Sequence, residues 1–338
     1  RIVGKKEEFV YAELVDDLPA DDRNVIIAVT PFSADAYSRA DRMDVHTGRR
    51  VTVARSPVRN ASFVTDNKGV VRFTYGIGTD RRMRVFHRAA EGQEWELISD
   101  ETRTGLAEIP VGFAEDDRTA YLVAEQADGP DKLIAYDVVT RERRPVLGHE
   151  IADPARLLYR PYTRTPIGAV FLDGRRHTSF IDRNSPEARM QRSLEVAFAG
   201  HAVEMTSRTR DGRLTLVEVF SDRNPGDFYL FDSQTKKADL VISRREWIDI
   251  DAMAEQRPVT IAARDGTTLH GYLTVPRGRE GRLPMIVNPH GGPFGVQDVW
   301  GFDDDVQMLA AAGYAVLQVN FRGSSGYGKA FRAAGARE

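Results

Sequence analysis

The chain contains no cysteine. That one absence excludes disulfides, thiolate zinc sites and a cysteine nucleophile together, while leaving cytoplasm and periplasm equally open as compartments. No apolar run approaches the ~18 residues needed to span a bilayer, so no membrane partner is expected. Charge of one sign is not in surplus either: 47 Lys and Arg stand against 50 Asp and Glu, scattered along the sequence, for a formal net charge of −3. Nucleic-acid binding needs basic residues gathered on one surface, so nucleic acid is not an expected partner. An initiator methionine is missing, the chain opening Arg1-Ile2-Val3-Gly4. The natural amino terminus is therefore expected to lie ahead of Arg1, and a signal peptide is neither indicated nor excluded.

What is present is an ordinary globular composition of 338 residues, 41% hydrophobic and 29% charged, long enough for two domains or for a repeat array with something attached. From residue 1 to about 250, short runs rich in Val, Ile, Phe, Tyr and Thr are divided by polar turns, the pattern of β-strands. One unit recurs: an apolar strand, usually an Asp, a polar turn, and a second apolar strand. Its clearest copies are Met43-Asp44-Val45-His46-Thr47-Gly48 before Val51, Tyr136-Asp137-Val138-Val139-Thr140 before Val146, and Leu230-Phe231-Asp232-Ser233-Gln234-Thr235 before Leu240. Looser copies centre on His87 and Asp182. From Asp44 to His87, Asp137, Asp182 and Asp232 the steps are 43, 50, 45 and 50 residues. A second, offset element keeps pace: a polar turn entering a strand, at Asp66–Gly69, Asp116–Arg118 and Asp211–Arg213. A period of about 40–50 residues with several strands per unit marks β-propeller blades. Because no long helical pattern interrupts the strands and the spacing stays even, a partial propeller of about five visible blades is preferred to a large β-sandwich or to several unrelated β domains. The histidines His46, His87, His149, His177 and His201 fall into no metal-ligand spacing and read as surface or packing residues.

From about residue 251 the pattern changes. Val259–Ala262 and Leu269–Leu273 flank Arg264-Asp265-Gly266-Thr267, a hairpin signal. The continuous apolar run Met285-Ile286-Val287 suits a parallel-sheet strand buried on both faces. Asn288-Pro289-His290-Gly291-Gly292-Pro293 follows it directly. A helix is expected next, opened by Asp303, Asp304 and Asp305, with Val306, Met308, Leu309 and Ala312 as its apolar face and Gly313 as its stop. The strand Ala315–Asn320 then runs into Phe321-Arg322-Gly323-Ser324-Ser325-Gly326-Tyr327-Gly328. This is βαβ grammar. The adjacent carboxylates at 303–305 cannot all face one ion, so a helix start is preferred to a metal site. Neither glycine-rich loop fits a phosphate-binding fingerprint. Acyl transfer, by contrast, needs preorganised backbone N–H groups to meet the anionic carbonyl oxygen, and α/β-hydrolases draw one from the loop after their third strand, often an HGG-type motif. A tight turn needing glycine competes for the same residues, but the strand before and the helix, strand and loop after favour an oxyanion-hole loop at His290, Gly291, Gly292 and Pro293.

Taken in order, Ala263-Arg264-Asp265-Gly266 to Gly271-Tyr272-Leu273, the His290–Pro293 motif, Ala312-Gly313-Tyr314-Ala315-Val316 and Asn320–Gly328 resemble the prolyl oligopeptidase family, in its acylaminoacyl-peptidase and dipeptidyl-peptidase branch. The resemblance is detailed over about 80 residues and architectural over the rest. It implies a propeller (1–250) followed by the opening of an α/β-hydrolase domain (251–338), and a serine peptidase that cleaves short peptides through a Ser-Asp-His triad without metal or cofactor. It also implies that Arg322, Gly323, Ser324, Ser325, Gly326 and Tyr327 border the cleft. The triad itself is not found: there is no G-x-S-x-G, His290 is the last histidine, and Ser324 and Ser325 lack a downstream base. The nucleophile is therefore expected beyond Glu338, and this chain alone is expected to be inactive. An esterase on the same fold, or a propeller binding module with a vestigial hydrolase part, are the other readings. A peptide is the expected ligand, and a homo-oligomer is compatible with the sequence.

Overall fold

A computed structural model describes residues 9–337 except 280 and 293. Pro293, the last residue of the expected oxyanion-hole loop, thus lies outside the described residues. The repeat of the sequence becomes a series of antiparallel sheets, each built from strands adjacent in the chain. The first holds β1 (Val10–Asp16), β2 (Asn24–Pro31), β3 (Tyr37–Asp44) and β4 (Arg50–Arg59). The second holds β5 (Ser62–Thr65), β6 (Val71–Ile77), β7 (Met83–His87) and β8 (Glu96–Asp100). After the short helix α1 (Glu101–Thr104), the third is built from β9 (Glu108–Phe113), β10 (Thr119–Ala124), β11 (Lys132–Asp137) and β12 (Arg143–Leu147). The fourth has three strands, β13 (Pro154–Tyr159), β14 (Pro166–Asp173) and β15 (Arg175–Phe180), followed by helix α2 (Pro186–Ala197). The fifth consists of β16 (Ala202–Arg208), β17 (Leu214–Phe220), β18 (Asp227–Asp232) and β19 (Lys237–Ser243).

The two sequence elements that repeat in step are physically joined. Asp44, Asp137 and Asp232 each close the third strand of a sheet, and one carboxylate oxygen accepts the next turn's amides: Val139 and Thr140 at 2.8 and 2.9 Å for Asp137, and Gln234 and Thr235 at 2.8 and 3.2 Å for Asp232. The other oxygen takes an arginine: Arg118 to Asp137 at 2.8 Å and Arg213 to Asp232 at 2.9 Å from the offset turns, and Arg23 to Asp44 at 2.6 Å from a like turn, Asp21-Asp22-Arg23, that the sequence pattern did not mark out. An Asx turn and a charge-assisted hydrogen bond therefore meet in one side chain. Paired in this way, the Asp137 carboxyl is held down at about 2. His87 ends β7 in the corresponding place, but its ring is buried against Phe73, and burial pushes its pKa down to about 4.

Helix α2 corrects the expectation that no helix interrupts the strands. Asp182 lies past the end of β15 and leads into a helix rather than a fourth strand. The start signals were present: Ser185 caps the Ala188 amide at 3.1 Å, and Pro186 stands in the first turn with Glu187. Only Ala188, Gln191 and Leu194 are buried, a stripe too thin and too polar to show as an apolar face.

By compactness the chain divides into two units. The first is 1–127, 131–148 and 158–167; the second is 128–130, 149–157 and 168–338. The first unit is centred on Phe73, Val85, Phe113, Leu122 and Tyr136, and on Ile26, Ala40 and Phe63. In the second unit, Leu194, Val203, Val217 and Phe231 form one apolar cluster, and Ala202, Tyr272 and Trp300 another.

The second unit also carries a sixth, mixed sheet in the order β20-β21-β23-β22: β20 (Glu255–Ala262), β21 (Thr268–Val275), β22 (Met285–Val287) and β23 (Ala315–Asn320). The Asp265-Gly266 hairpin joins β20 to antiparallel β21, with Gly266 at φ +85°. Strands β22 and β23 are parallel, with helix α3 (Asp304–Ala311) between them in sequence. The expected apolar face of α3 is corrected in part. Val306 is buried as expected, but Met308 is 63% exposed and Gln307 turns inward. The Gln307 amide donates to the carbonyls of Asp222 and Ala254, both at 2.9 Å, and accepts the Ala254 N–H at 2.8 Å. Three otherwise unpaired backbone groups outweigh a methionine's burial there. Strand β22 is not buried on both faces: Met285 and Val287 are 54% and 56% exposed. It is the edge of the sheet, and among the described residues no strand pairs with its outer side.

Candidate active site

Parallel strands deliver the loops that follow them to the same edge of a sheet, where α/β proteins build their sites. Here the loop after β22 carries His290, Gly291 and Gly292, and the loop after β23 carries Arg322 to Tyr327. The Asn288 N–H bonds to the Leu317 carbonyl at 2.8 Å and fixes the departure of the first loop.

The two loops are stitched together. His290 Nε2 lies 2.7 Å from Ser324 Oγ, and the Ser325 N–H reaches the Val296 carbonyl at 3.0 Å. The third stitch is Asn320, a residue sequence reasoning did not place in the site. Its Oδ1 accepts the Asp298 N–H at 2.7 Å, and its Nδ2 donates to the Asp298 carbonyl at 2.9 Å and to the Tyr327 hydroxyl at 2.8 Å. A side-chain amide thus pairs with a backbone as a neighbouring strand would. Asn320 is fully buried, and these bonds satisfy its polar atoms. A polar residue ending an apolar strand was the signal available for it.

Glycine is required at two points. Gly326 sits at φ +91°, and a Cβ there would collide with the Gln297 side-chain oxygen. Gly292 sits at φ +130°, where a Cβ would crowd the Phe294 amide nitrogen at 3.2 Å. The Gly326 carbonyl accepts the Asp153 N–H at 2.8 Å, and the Asp153 carboxylate accepts the Gly328 N–H at 3.0 Å.

The floor of the site is aromatic and low in polarity. Tyr327 stacks on His270 at 4.9 Å and meets Phe331 edge-on at 5.2 Å, while His290 stacks on Phe321 at 4.5 Å. Burial pushes the Tyr327 hydroxyl up to about 12 and the His270 imidazole down, so both are neutral near pH 7. Burial also raises the Asp298 carboxyl: one oxygen accepts from Gln318 at 3.0 Å, and the other is buried with no hydrogen-bond partner. Arg322 turns away, donating to Asp265 at 2.6 Å.

All the expected site residues that are described therefore gather at one edge of the mixed sheet. The His290–Ser324 contact has the look of a base and a nucleophile, but Ser324 is 0% exposed. The other ring nitrogen of His290 faces the Gly291 carbonyl at 2.7 Å rather than a carboxylate. By contrast, Gly291 and Gly292 are exposed, and their amide nitrogens find no acceptor among the described residues. Two N–H donors without an acceptor among the described residues, on a tethered loop, can receive an anionic oxygen. Among the described residues no group of three or more His, Asp or Glu side chains is arranged to hold a metal ion.

Comparison with known proteins bears on these loops. The sequence profile of the prolyl oligopeptidase family matches residues 300–338. The chain is 30% identical over 306 residues to dipeptidyl aminopeptidase BIII of Pseudoxanthomonas mexicana, covering 88% of this chain and 44% of that protein. It is 26% identical to dipeptidyl peptidase family member 6 of Caenorhabditis elegans, covering 83% of this chain and 42% of that one. The chain thus spans less than half the length of these curated relatives. In fold it resembles a puromycin-hydrolyzing peptidase of Mycobacterium tuberculosis, with a TM-score of 0.64 at 14% identity over 96% of this chain and 52% of that one.

Proposed function

The chain belongs to the prolyl oligopeptidase family, and from that membership we propose that it is the leading part of a serine peptidase acting on short peptides. The five successive sheets are the blades of a partial β-propeller spanning residues 1–250, and residues 251–338 open an α/β-hydrolase domain. The two exposed amides of Gly291 and Gly292 carry the reading. They stand at the carboxyl edge of parallel strands, and they are the donors an acyl-transfer oxyanion needs. The bare outer side of β22 supports a further strand beside it, supplied by sequence that these 338 residues do not include. In this reading the nucleophile, acid and base come from that sequence. The burial of Ser324 supports its exclusion as nucleophile. The names of the two curated relatives support a dipeptidyl-peptidase, and an acylaminoacyl-peptidase is the other branch the loop motifs resemble.

A fluorophosphonate that traps activated serines tests both halves. The 338-residue chain is expected to keep its mass of 37.8 kDa without an adduct, and the full-length protein to gain one adduct per chain. An adduct on the 338-residue chain would place the nucleophile among the residues described above and overturn the assignment. If the full-length protein releases a chromophore from a dipeptidyl anilide bearing a free amino end but not from its N-acetyl counterpart, it is a dipeptidyl-peptidase. The opposite preference makes it an acylaminoacyl-peptidase, and hydrolysis of esters alone would replace the peptidase reading with an esterase.

A further inference from the structure

We infer that Ser324 is a positioning residue: its buried hydroxyl sets the His290 imidazole, and through it the direction of the Gly292 amide. The inference rests on the peptidase reading above.

The relay follows from which groups can donate. The Gly291 carbonyl can only accept, so His290 Nδ1, 2.7 Å away, must carry the proton. In a neutral imidazole Nε2 is then a bare acceptor. Ser324 Oγ, 2.7 Å from it, must therefore donate. The order is Ser324 O–H to Nε2, and Nδ1–H to the Gly291 oxygen. A planar trans peptide carries its C=O and N–H on opposite sides. Anchoring the Gly291 oxygen at the imidazole thus aims the Gly292 N–H away from it, toward the exposed side of the loop. The anchor matters because both neighbours are glycines. Gly291 has open space where a Cβ would stand and Gly292 already sits at φ +130°, so neither residue has a side chain to resist this peptide's turning over.

The far end of the relay is rigid. Ser324 is 0% exposed and its own N–H is tied to the Phe321 carbonyl at 2.9 Å, while the imidazole is backed by the Phe321 ring. With Ser324→Ala, Nε2 loses its donor, and only the Gly291 carbonyl is left to favour the Nδ1–H tautomer, with no second hydrogen bond to fix the ring that holds it.

Two measurements test this, and the first needs no enzymatic activity. Imidazole 15N shifts of the histidine-labelled chain are expected to show His290 as the Nδ1–H tautomer, and S324A is expected to mix the tautomers. A wild-type His290 protonated at Nε2, or an S324A spectrum unchanged at His290, would overturn the relay. In the full-length enzyme, S324A is expected to lower kcat about 10- to 100-fold, short of the loss expected for removing an oxyanion donor outright, with KM within about twofold and an unchanged melting temperature. An unchanged kcat would overturn the positioning role even where the tautomer is as assigned. Should the wild-type enzyme hydrolyse no peptide or ester, the peptidase reading fails, and the tautomer measurement still decides the relay.

Discussion

The repeating sheets and the mixed sheet are held together in opposite ways. In the first, third and fifth sheets the same device recurs at the surface: an Asp at the end of the third strand closes its own turn and captures an Arg from the offset turn. It is exposed and periodic, each pair joining residues 19 or 21 positions apart. The mixed sheet uses buried amides that occur once each. Gln307 holds Ala254 and Asp222, Gln256 bonds Gln318 at 2.9 Å, and Asn320 holds Asp298 and Tyr327. A fold made of repeats can spread its stability over many small, similar contacts. A site has to put particular groups in particular places, and a fully satisfied buried polar network does that because any displacement leaves a buried group unpaired.

Four predictions break or sharpen this contrast. The largest effect is expected from the apolar packing of the repeats: Leu122→Ala, at a fully buried position in the cluster with Phe73 and Phe113, should cost about 3–5 kcal/mol in urea unfolding. Next is Asn320→Ala, which strips the Asp298 backbone of both partners and should cost about 2–3 kcal/mol. If Asn320→Ala costs as much as Leu122→Ala or more, the buried amides carry stability as well as the placement of groups, and the contrast is not one of placement alone. Ser185→Ala, removing the cap of α2, should cost about 1 kcal/mol, read as a small fall in melting temperature.

The smallest effect at neutral pH is expected from replacing Asp44, Asp137 and Asp232 together by Asn, which keeps the turn acceptor and removes the charge. These carboxyls are depressed in the fold, first by their arginine partners and then by turn amides. A depressed carboxyl stabilises above its unfolded pKa of about 4, and that stability is lost as pH falls through its lowered folded value, about 2 for Asp137. Thermal melts from pH 7 to pH 2 should therefore fall less steeply for the triple variant than for the parent. Because the pairs are exposed, the neutral-pH difference should be slight and should vanish in high salt. A steep loss at pH 7 would show that the turns carry more than local order.

The site was legible in the sequence as two loops and illegible as one arrangement. His290-Gly291-Gly292 and Arg322–Tyr327 could be named because glycine, histidine and serine in that order after apolar strands have few uses. That His290 touches Ser324 could not be read, since 34 residues separate them and only the parallel pairing of β22 with β23 brings their ends to one edge. The apolar pattern of α3 misled for a related reason. Periodicity counts hydrophobic side chains, whereas Gln307 is drawn inward by unpaired backbone groups that belong to distant residues. Helix α2 escaped because its buried stripe includes Ala188 and Gln191, which carry little apolar signal.

By itself the sequence determined what is local. It set the strands, the Asp-ended turns, the period of the sheets, the βαβ order and the position of the two glycine loops, because each depends on residues within a few positions of one another. Only the tertiary structure decided which loops meet, that the Asp–Arg elements repeating in step are bonded pairs, that β22 is an edge, and that Asn320 and Ser324 bond across from one loop to the other. Those contacts join residues separated in the chain, and their partners are chosen by strand pairing and burial, which a local reading of the sequence does not reach.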